Sequence, residues 1–394
     1  MANLLVAQLG GPTAVINTSL YGVVRAAAES GAVDRVLGAR HGATGIVEGD
    51  VVDLGRESAA TLEGLRETPG AALGSARREV TEPDYGRILD TFESHDVGYC
   101  LPIGGNGTMA FAGEIDRRTA AAGLDVATVG VPKTVDNDIA ATDHCPGYGS
   151  AARYYAVTIR EVGRDVLTLP PPVTVFETMG RDTGWLAAAT ALAGPGEDEP
   201  PHLLYLPEHA FDAEGFLDDV KRVYDRMGSV FVAVGEGLRD ADGDPVSMDE
   251  TRRDATGKPL PGGVSERLAG LVTEELGLRA RSEKPGLCGR ASIAHQSETD
   301  RREAQRVGEA AVEYATAGES GVMAALQRSG GREYDCAVEP VPLDEVSGTR
   351  TLPGEFVDDA GPGVTDAFHE YARPLAGGPL PEHATLDAVP LQDV

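Results

Sequence analysis

Short β-rich runs alternate with amphipathic helical stretches from Asn3 to Val234, and this alternation restricts the chain more than any other feature. It predicts strands at 3–9, 97–103, 126–131, 173–178, 203–206 and 230–234. Helices are expected between them at 16–30, 108–122, 150–162, 185–193 and 214–227. Such a rhythm describes a parallel sheet covered by helices. Each strand-to-helix junction carries Gly or polar residues, and α/β proteins bind ligands at the carboxyl ends of their strands. Residues 240–263 are rich in Asp, Gly and Pro and read as a loop between lobes, with helical periodicity resuming at 264–276 and 300–317. From Glu339 onward there are eleven acidic and two basic residues, which reads as a closing strand or helix followed by an acidic tail.

Composition narrows the function. A chain of 394 residues with net charge −29 lacks the basic footprint of a nucleic-acid binder. No run is apolar for the ~18 residues a membrane span requires, and the N-terminus lacks a basic segment followed by a long apolar one. Cys100, Cys145, Cys288 and Cys336 are widely spaced, with no zinc-type pairing. The expectation is a cytoplasmic protein with reduced thiols.

The chemistry-bearing segments sit at predicted strand ends. Gly10-Gly11 closes the first strand, and Gly104-Gly105-Asn106-Gly107-Thr108 follows the strand at 97–103. Paired glycines admit a ligand close to the backbone, and the helix that follows favours an anion. Neither loop has the spacing of a dinucleotide fingerprint or a P-loop. Between them, Leu73 to Arg78 offers a small-residue turn with the guanidinium groups of Arg77 and Arg78, a candidate anion clamp. The most informative segment runs from Val131 to Asp138, where a strand enters a turn holding Lys133, Thr134, Asp136 and Asp138. One carboxylate there can accept the proton of an attacking sugar hydroxyl while the other holds a metal ion or orients the first. Lys133, one of only four lysines, can neutralise a migrating phosphoryl group.

Six motifs in this order resemble the phosphofructokinase family: Gly10-Gly11, Gly104–Gly107, Pro132–Asp138, Met179-Gly180-Arg181, Glu236-Gly237, and Arg281 with Arg290. The resemblance spans roughly residues 3–320, and the opening and 142–154 are similar to the pyrophosphate-dependent branch. It implies an α/β fold of two Rossmann-like lobes with mainly parallel sheets and the active site in the cleft between them. Residues 1–140 plus part of 258–310 would form the phosphate-donor lobe. Residues 141–257 plus about 311–394 would form the sugar-phosphate lobe, ending in the acidic tail. By resemblance, Asp136 is the general base, with Thr134, Asp138 and Lys133 beside it, and Arg181 stabilises the transferred group. Gly11, Arg77, Gly104, Gly105, Asn106, Gly107 and Thr108 would cradle the donor. Met179, Gly180, Glu236 and Arg290 would hold the sugar phosphate, with Arg281 reaching it from a neighbouring subunit of a homodimer or homotetramer. Mg²⁺ would lie at Asp138 and Asn106.

The implied activity is sugar-phosphate phosphorylation of the glycolytic type, on the 1-hydroxyl of fructose 6-phosphate or a closely related ketose phosphate. The sequence departs from the family pattern in places. Asn106 stands where the family usually has Asp, Pro172 where many bacterial members have an inter-subunit Arg, and Leu287 in place of a His. Gly107 favours ATP as donor, whereas Lys133 is typical of pyrophosphate users; ATP is the expectation taken, with pyrophosphate the alternative. A different sugar phosphate, a non-catalytic sugar-phosphate binder and a nicotinamide-dependent oxidoreductase are the competing readings, and the last lacks its fingerprint.

Overall fold

Parallel pairing starts at the first strand and runs through both sheets of the computed structural model, which describes residues 1–394 apart from 77, 169–172, 195, 197, 254–258, 331–332, 359–360, 385 and 387–394. The first half comprises β1 (Ala2–Gln8), α1 (Ile16–Ser30), β2 (Val33–Ala39), α2 (Ala43–Glu48), β3 (Val51–Asp53), α3 (Ala59–Gly64), α4 (Glu82–Ser94), β4 (Val97–Gly104), α5 (Asn106–Ala122) and β5 (Ala127–Pro132). There follow α6 (Tyr148–Thr168), β6 (Val173–Thr178), α7 (Trp185–Ala189), β7 (Leu203–Tyr205), α8 (Ala213–Met227) and β8 (Val230–Gly235). The remainder holds β9 (Met248–Arg253), β10 (Pro259–Pro261), α9 (Val264–Leu276), β11 (Ala280–Glu283), α10 (Cys288–Ala291), α11 (Glu298–Ala317), β12 (Val322–Arg328), β13 (Cys336–Pro342) and α12 (Asp366–Leu375).

A seven-stranded sheet runs β13-β12-β5-β4-β1-β2-β3, and a four-stranded sheet runs β11-β6-β8-β7. The four-stranded sheet is wholly parallel. In the larger one only the edge strands β3 and β13 pair antiparallel. Helices cover both faces of each sheet. Ile16, Leu20 and Val23 of α1 share one core with Val307 and Ala311 of α11, while Ile88 and Phe92 of α4 share another with Phe111 and Ile115 of α5. Strands buried on both sides read as continuous apolar runs, and Leu4, Leu5 and Val6 are all buried. Local signals set the helix ends: a Thr81–Asp84 capping box opens α4, Ser297 caps α11, and left-handed Gly31 closes α1.

Besides β2, α2, β3, α3 and α4, which fill 33–94 where the sequence reading names no element, three later segments are placed only by the structure. The 240–263 segment carries β9 and β10, whose antiparallel pairing rests on backbone hydrogen bonds and needs no apolar period. Polar β11 joins the second sheet beside β6, so of the 258–310 segment the part that packs on the first lobe is α11, against α1. Strands β12 and β13 extend the first sheet beyond β5, although the boundary at residue 311 assigns them to the second lobe. Pairing partners across nearly two hundred residues leave no local trace in the chain.

Close packing of α1 and α11 yields a stability test. A Cβ at Gly22 would overlap the Gln305 carbonyl, whereas one at Gly86 in α4 would meet nothing within 4 Å. Gly→Ala in a helix normally stabilises by ~0.5–1 kcal/mol. Gly86→Ala should do so. Gly22→Ala should reverse the sign and cost ~1–3 kcal/mol through overpacking, read from urea midpoints at constant slope.

Candidate active site

Three strands of the first sheet end level. Gln8 lies opposite Ile103, and Ile103 and Gly104 lie opposite Val131 and Pro132. The loops that follow β1, β4 and β5 therefore meet at one edge, where they line a cleft of about 810 Å³. The second lobe supplies the opposite wall from the ends of β6 and β8, where Thr178 lies opposite Gly235. Thr183 Oγ1 donates to the Asp136 carbonyl at 3.2 Å and joins the two walls.

The first glycine loop turns at Gly10, whose φ of 73° suits glycine. Its carbonyl accepts from Ser75 Oγ at 2.7 Å, which docks the 73–76 turn onto the loop. Gly11 packs directly under Arg290: a Cβ there would come within 2.7 Å of Nη1 and displace the end of that side chain. At the second loop, a Cβ on Gly104 would overlap the Thr108 hydroxyl, so Gly104 permits close approach without itself lining the cleft. Gly105 caps α5, whose N-terminal amides and dipole favour an anion. A Cβ on Gly107 would meet nothing within 4 Å.

Lys133 is buried and donates from Nζ to the Gly11 carbonyl at 2.5 Å. Burial, reinforced by the nearby Arg290 guanidinium, lowers its ammonium to a pKa of about 8. Burial also raises Asp136, to about 6; Asp138 and Glu236 add to the rise, while Arg181 and Lys133 oppose it. Asp138 is likewise raised, chiefly by burial, against the hydrogen bonds it accepts from Asn106 and Thr134. The turn thus holds a carboxyl near neutrality beside two cations, the condition for a base at physiological pH. Arg181 Nε lies 4.0 Å from Glu236 Oε1.

Oxygen donors for a hard divalent cation are present. Asn106 Nδ2 donates to Asp138 Oδ2 at 2.8 Å, while Asn106 Oδ1 is buried with no partner. An orphan amide oxygen beside a carboxylate fits such an ion.

The cleft gathers Gly11, Gly105, Asn106, Gly107, Thr108, Lys133, Thr134, Asp136, Asp138, Met179, Arg181, Glu236 and Arg290. Gly180 lies between two lining residues, with a φ of 114° that lets the chain turn there. Arg290 sits against Gly11, with its guanidinium near Lys133. Arg281 is half-buried on β11 and outside this chain's own cleft. Arg77 and Pro172 lie outside the described residues. Sequence reasoning missed Asp182, which lines the cleft and helps raise Asp138; its place directly after Arg181 was the available signal. It also missed Val80, Tyr85, Ala110, Phe111 and Glu114, which carry no motif.

A family model described as Phosphofructokinase matches residues 3–315. The pyrophosphate–fructose 6-phosphate 1-phosphotransferase of Xanthomonas campestris pv. campestris is 39% identical, over 98% of this chain and 94% of its own. The sulfofructose kinase of Alkalicoccus urumqiensis is 33% identical, over 90% of this chain and 91% of its own. The crystal structure of a pyrophosphate-dependent phosphofructokinase from Nitrosospira multiformis superposes with a TM-score of 0.88 at 35% identity, covering 100% of this chain and 97% of its own.

The raised carboxyl of Asp136 predicts a pH-dependent stability change. The penalty for burying its ionised form is absent below the ordinary value of 3.8, grows as pH rises, and is complete above about 6. Asp136→Asn should therefore be more stable than the wild type at pH 7–8, by roughly 1–3 kcal/mol. The difference should vanish near pH 4. Denaturant unfolding at the two pH values checks both halves.

Proposed function

The chain belongs to the phosphofructokinase family, and we propose that it moves the terminal phosphoryl group of ATP to the 1-hydroxyl of fructose 6-phosphate or a closely related ketose phosphate. The observation that carries this reading is the gathering of Asp136, Lys133, Arg181 and both glycine loops in one cleft, where burial raises the Asp136 carboxyl to about 6. Ionised Asp136 takes the proton of the sugar hydroxyl as its oxygen bonds to phosphorus. The bond from phosphorus to the bridging oxygen breaks, and ADP leaves with that electron pair. Arg181, Lys133 and the α5 amides are fixed in advance where negative charge spreads over the transferred group. A divalent cation, Mg²⁺ in this reading, would be held by Asp138 and Asn106 Oδ1 and would neutralise part of the phosphate charge when bound.

The donor assignment rests on what lies beyond Gly107. Gly107, Ala110, Phe111 and Glu114 line the cleft from one face of α5, opposite Val80 and Tyr85. Two helical turns carry this surface ~10 Å past the phosphate loop, a span suited to a nucleoside. The second reading, pyrophosphate, is supported by relatives such as the Xanthomonas enzyme and by Lys133 lodged against Gly11. On the acceptor side, Leu287 lines the cleft at 63% exposure, and a relative named for sulfofructose argues for testing that sugar as well. Arg281 is assigned to the cleft of a neighbouring subunit in a homo-oligomer, so dilution to monomers should abolish most activity; a fully active monomer refutes that assignment.

A matrix of ATP and pyrophosphate against fructose 6-phosphate and sulfofructose tests the function directly. Turnover with ATP is expected. Asp136→Asn should lower kcat by ~10²–10⁴-fold, and Gly107→Asp should disable ATP while sparing pyrophosphate. Turnover with pyrophosphate alone would overturn the donor, and near-normal kcat in Asp136→Asn would overturn the mechanism.

A further inference from the structure

Two residues beyond the family match at 3–315 hold the catalytic turn from behind. Asn137 lies between Asp136 and Asp138, with a left-handed φ of 54° and a fully buried side chain. Its Oδ1 accepts from Cys145 N at 2.9 Å within its own loop. Its Nδ2 donates to the hydroxyl of Tyr371, on α12, at 3.0 Å. That hydroxyl in turn donates to the Asp143 carbonyl at 2.9 Å and accepts from Arg350 Nη2 at 3.2 Å. The donor and both acceptor positions of one hydroxyl are all used.

Arg350 completes the clamp. Its backbone N–H donates to the Asp138 carbonyl at 2.8 Å, and its Nε to the Asn137 carbonyl at 3.3 Å. Its Nη1 reaches the Thr142 carbonyl at 2.9 Å and also the Asp143 carbonyl. The guanidinium stacks over Trp185, 4.4 Å from the ring centroid, and Trp185 Nε1 donates back to the Arg350 carbonyl at 3.2 Å. A rigid five-donor fork can bridge several carbonyls at once, which a lysine ammonium cannot reproduce. Neither Arg350 nor Tyr371 lines the cleft, so neither touches substrate.

We infer that Arg350 and Tyr371 are positioning residues that fix the two catalytic carboxylates relative to each other, which makes the C-terminal segment part of the reaction machinery. The inference rests on the proposed role of Asp136. Displacing a catalytic group by ~1 Å can cost ~10²-fold in rate, so the effect should fall on the chemical step and spare binding.

The test is a double-mutant cycle joined to hydrogen exchange on the full chain. Tyr371→Phe should lower kcat ~10–100-fold while the KM of each substrate stays within about twofold. In an Asp136→Asn background the same change should lower kcat by less than about threefold, because its effect runs through Asp136. Arg350→Lys should repeat the pattern. Amides of 134–138 should exchange faster in both variants, with β1 and β4 unchanged. Full multiplicativity in the double variant, or unaltered exchange at 134–138, overturns the inference. The exchange measurement decides it whether or not the wild type phosphorylates fructose 6-phosphate; loss of wild-type turnover would count against the proposed function alone.

Discussion

The β1–β4–β5 ladder, in which Gln8 lies opposite Ile103 and Ile103 opposite Val131, is the constraint on which the rest of the site depends. Parallel strands present all their carboxyl ends at one edge, so loops distant in sequence arrive at one place without further design. The register then ties them together. Lys133 N donates to the Gly104 carbonyl at 2.9 Å, and the Lys133 ammonium reaches the Gly11 carbonyl. One residue of the third loop is thus bonded to both glycine loops. Burying that ammonium is costly and lowers its pKa to about 8, while Asp136 and Asp138 offset part of the cost.

The same burial acts on Asp136. Asp136 is held near 6 because its turn is closed over by the second lobe and crowded by Asp138 and Glu236. Arg181 and Lys133 limit the rise, leaving a group that is ionised at neutral pH yet basic enough to take a proton. Under the proposed function, stability is given up at this position for reactivity. The turn keeps its shape through the buried Asn137 amide, whose partners come from its own loop and from α12. The site therefore has three supports: two sheets whose strand ends line one cleft, and a C-terminal segment that braces the 134–138 turn.

Departures from the family pattern gain physical content at this level. Asn106 lacks the charge of an Asp but keeps an oxygen, and that oxygen is buried and unpaired beside Asp138. Asp182 brings a further carboxylate to the same corner. Leu287 leaves an apolar surface where a hydrogen-bonding ring would stand. These changes gather around Asn106, Asp138 and Leu287 and leave Asp136, its turn and Arg181 in place.

The sequence by itself determined the alternation of strands and helices, the glycine loops and the chemistry of the 131–138 turn. Helices α1 and α9 and strand β6 match it to the residue. Those features are local, written in side-chain periodicity, in glycine placement and in the residue types of single short segments. It did not determine that β12 and β13 would extend the first sheet, that Arg290 would lie against Gly11, or that Tyr371 would reach Asn137. Val80, Tyr85 and Phe111 likewise became cleft walls only when α4 and α5 packed side by side. Contacts between residues far apart in the chain depend on which strands pair and which helix faces meet. Tertiary structure alone decides that, because the energy that selects one pairing is spread over the whole core and leaves no mark on any single residue.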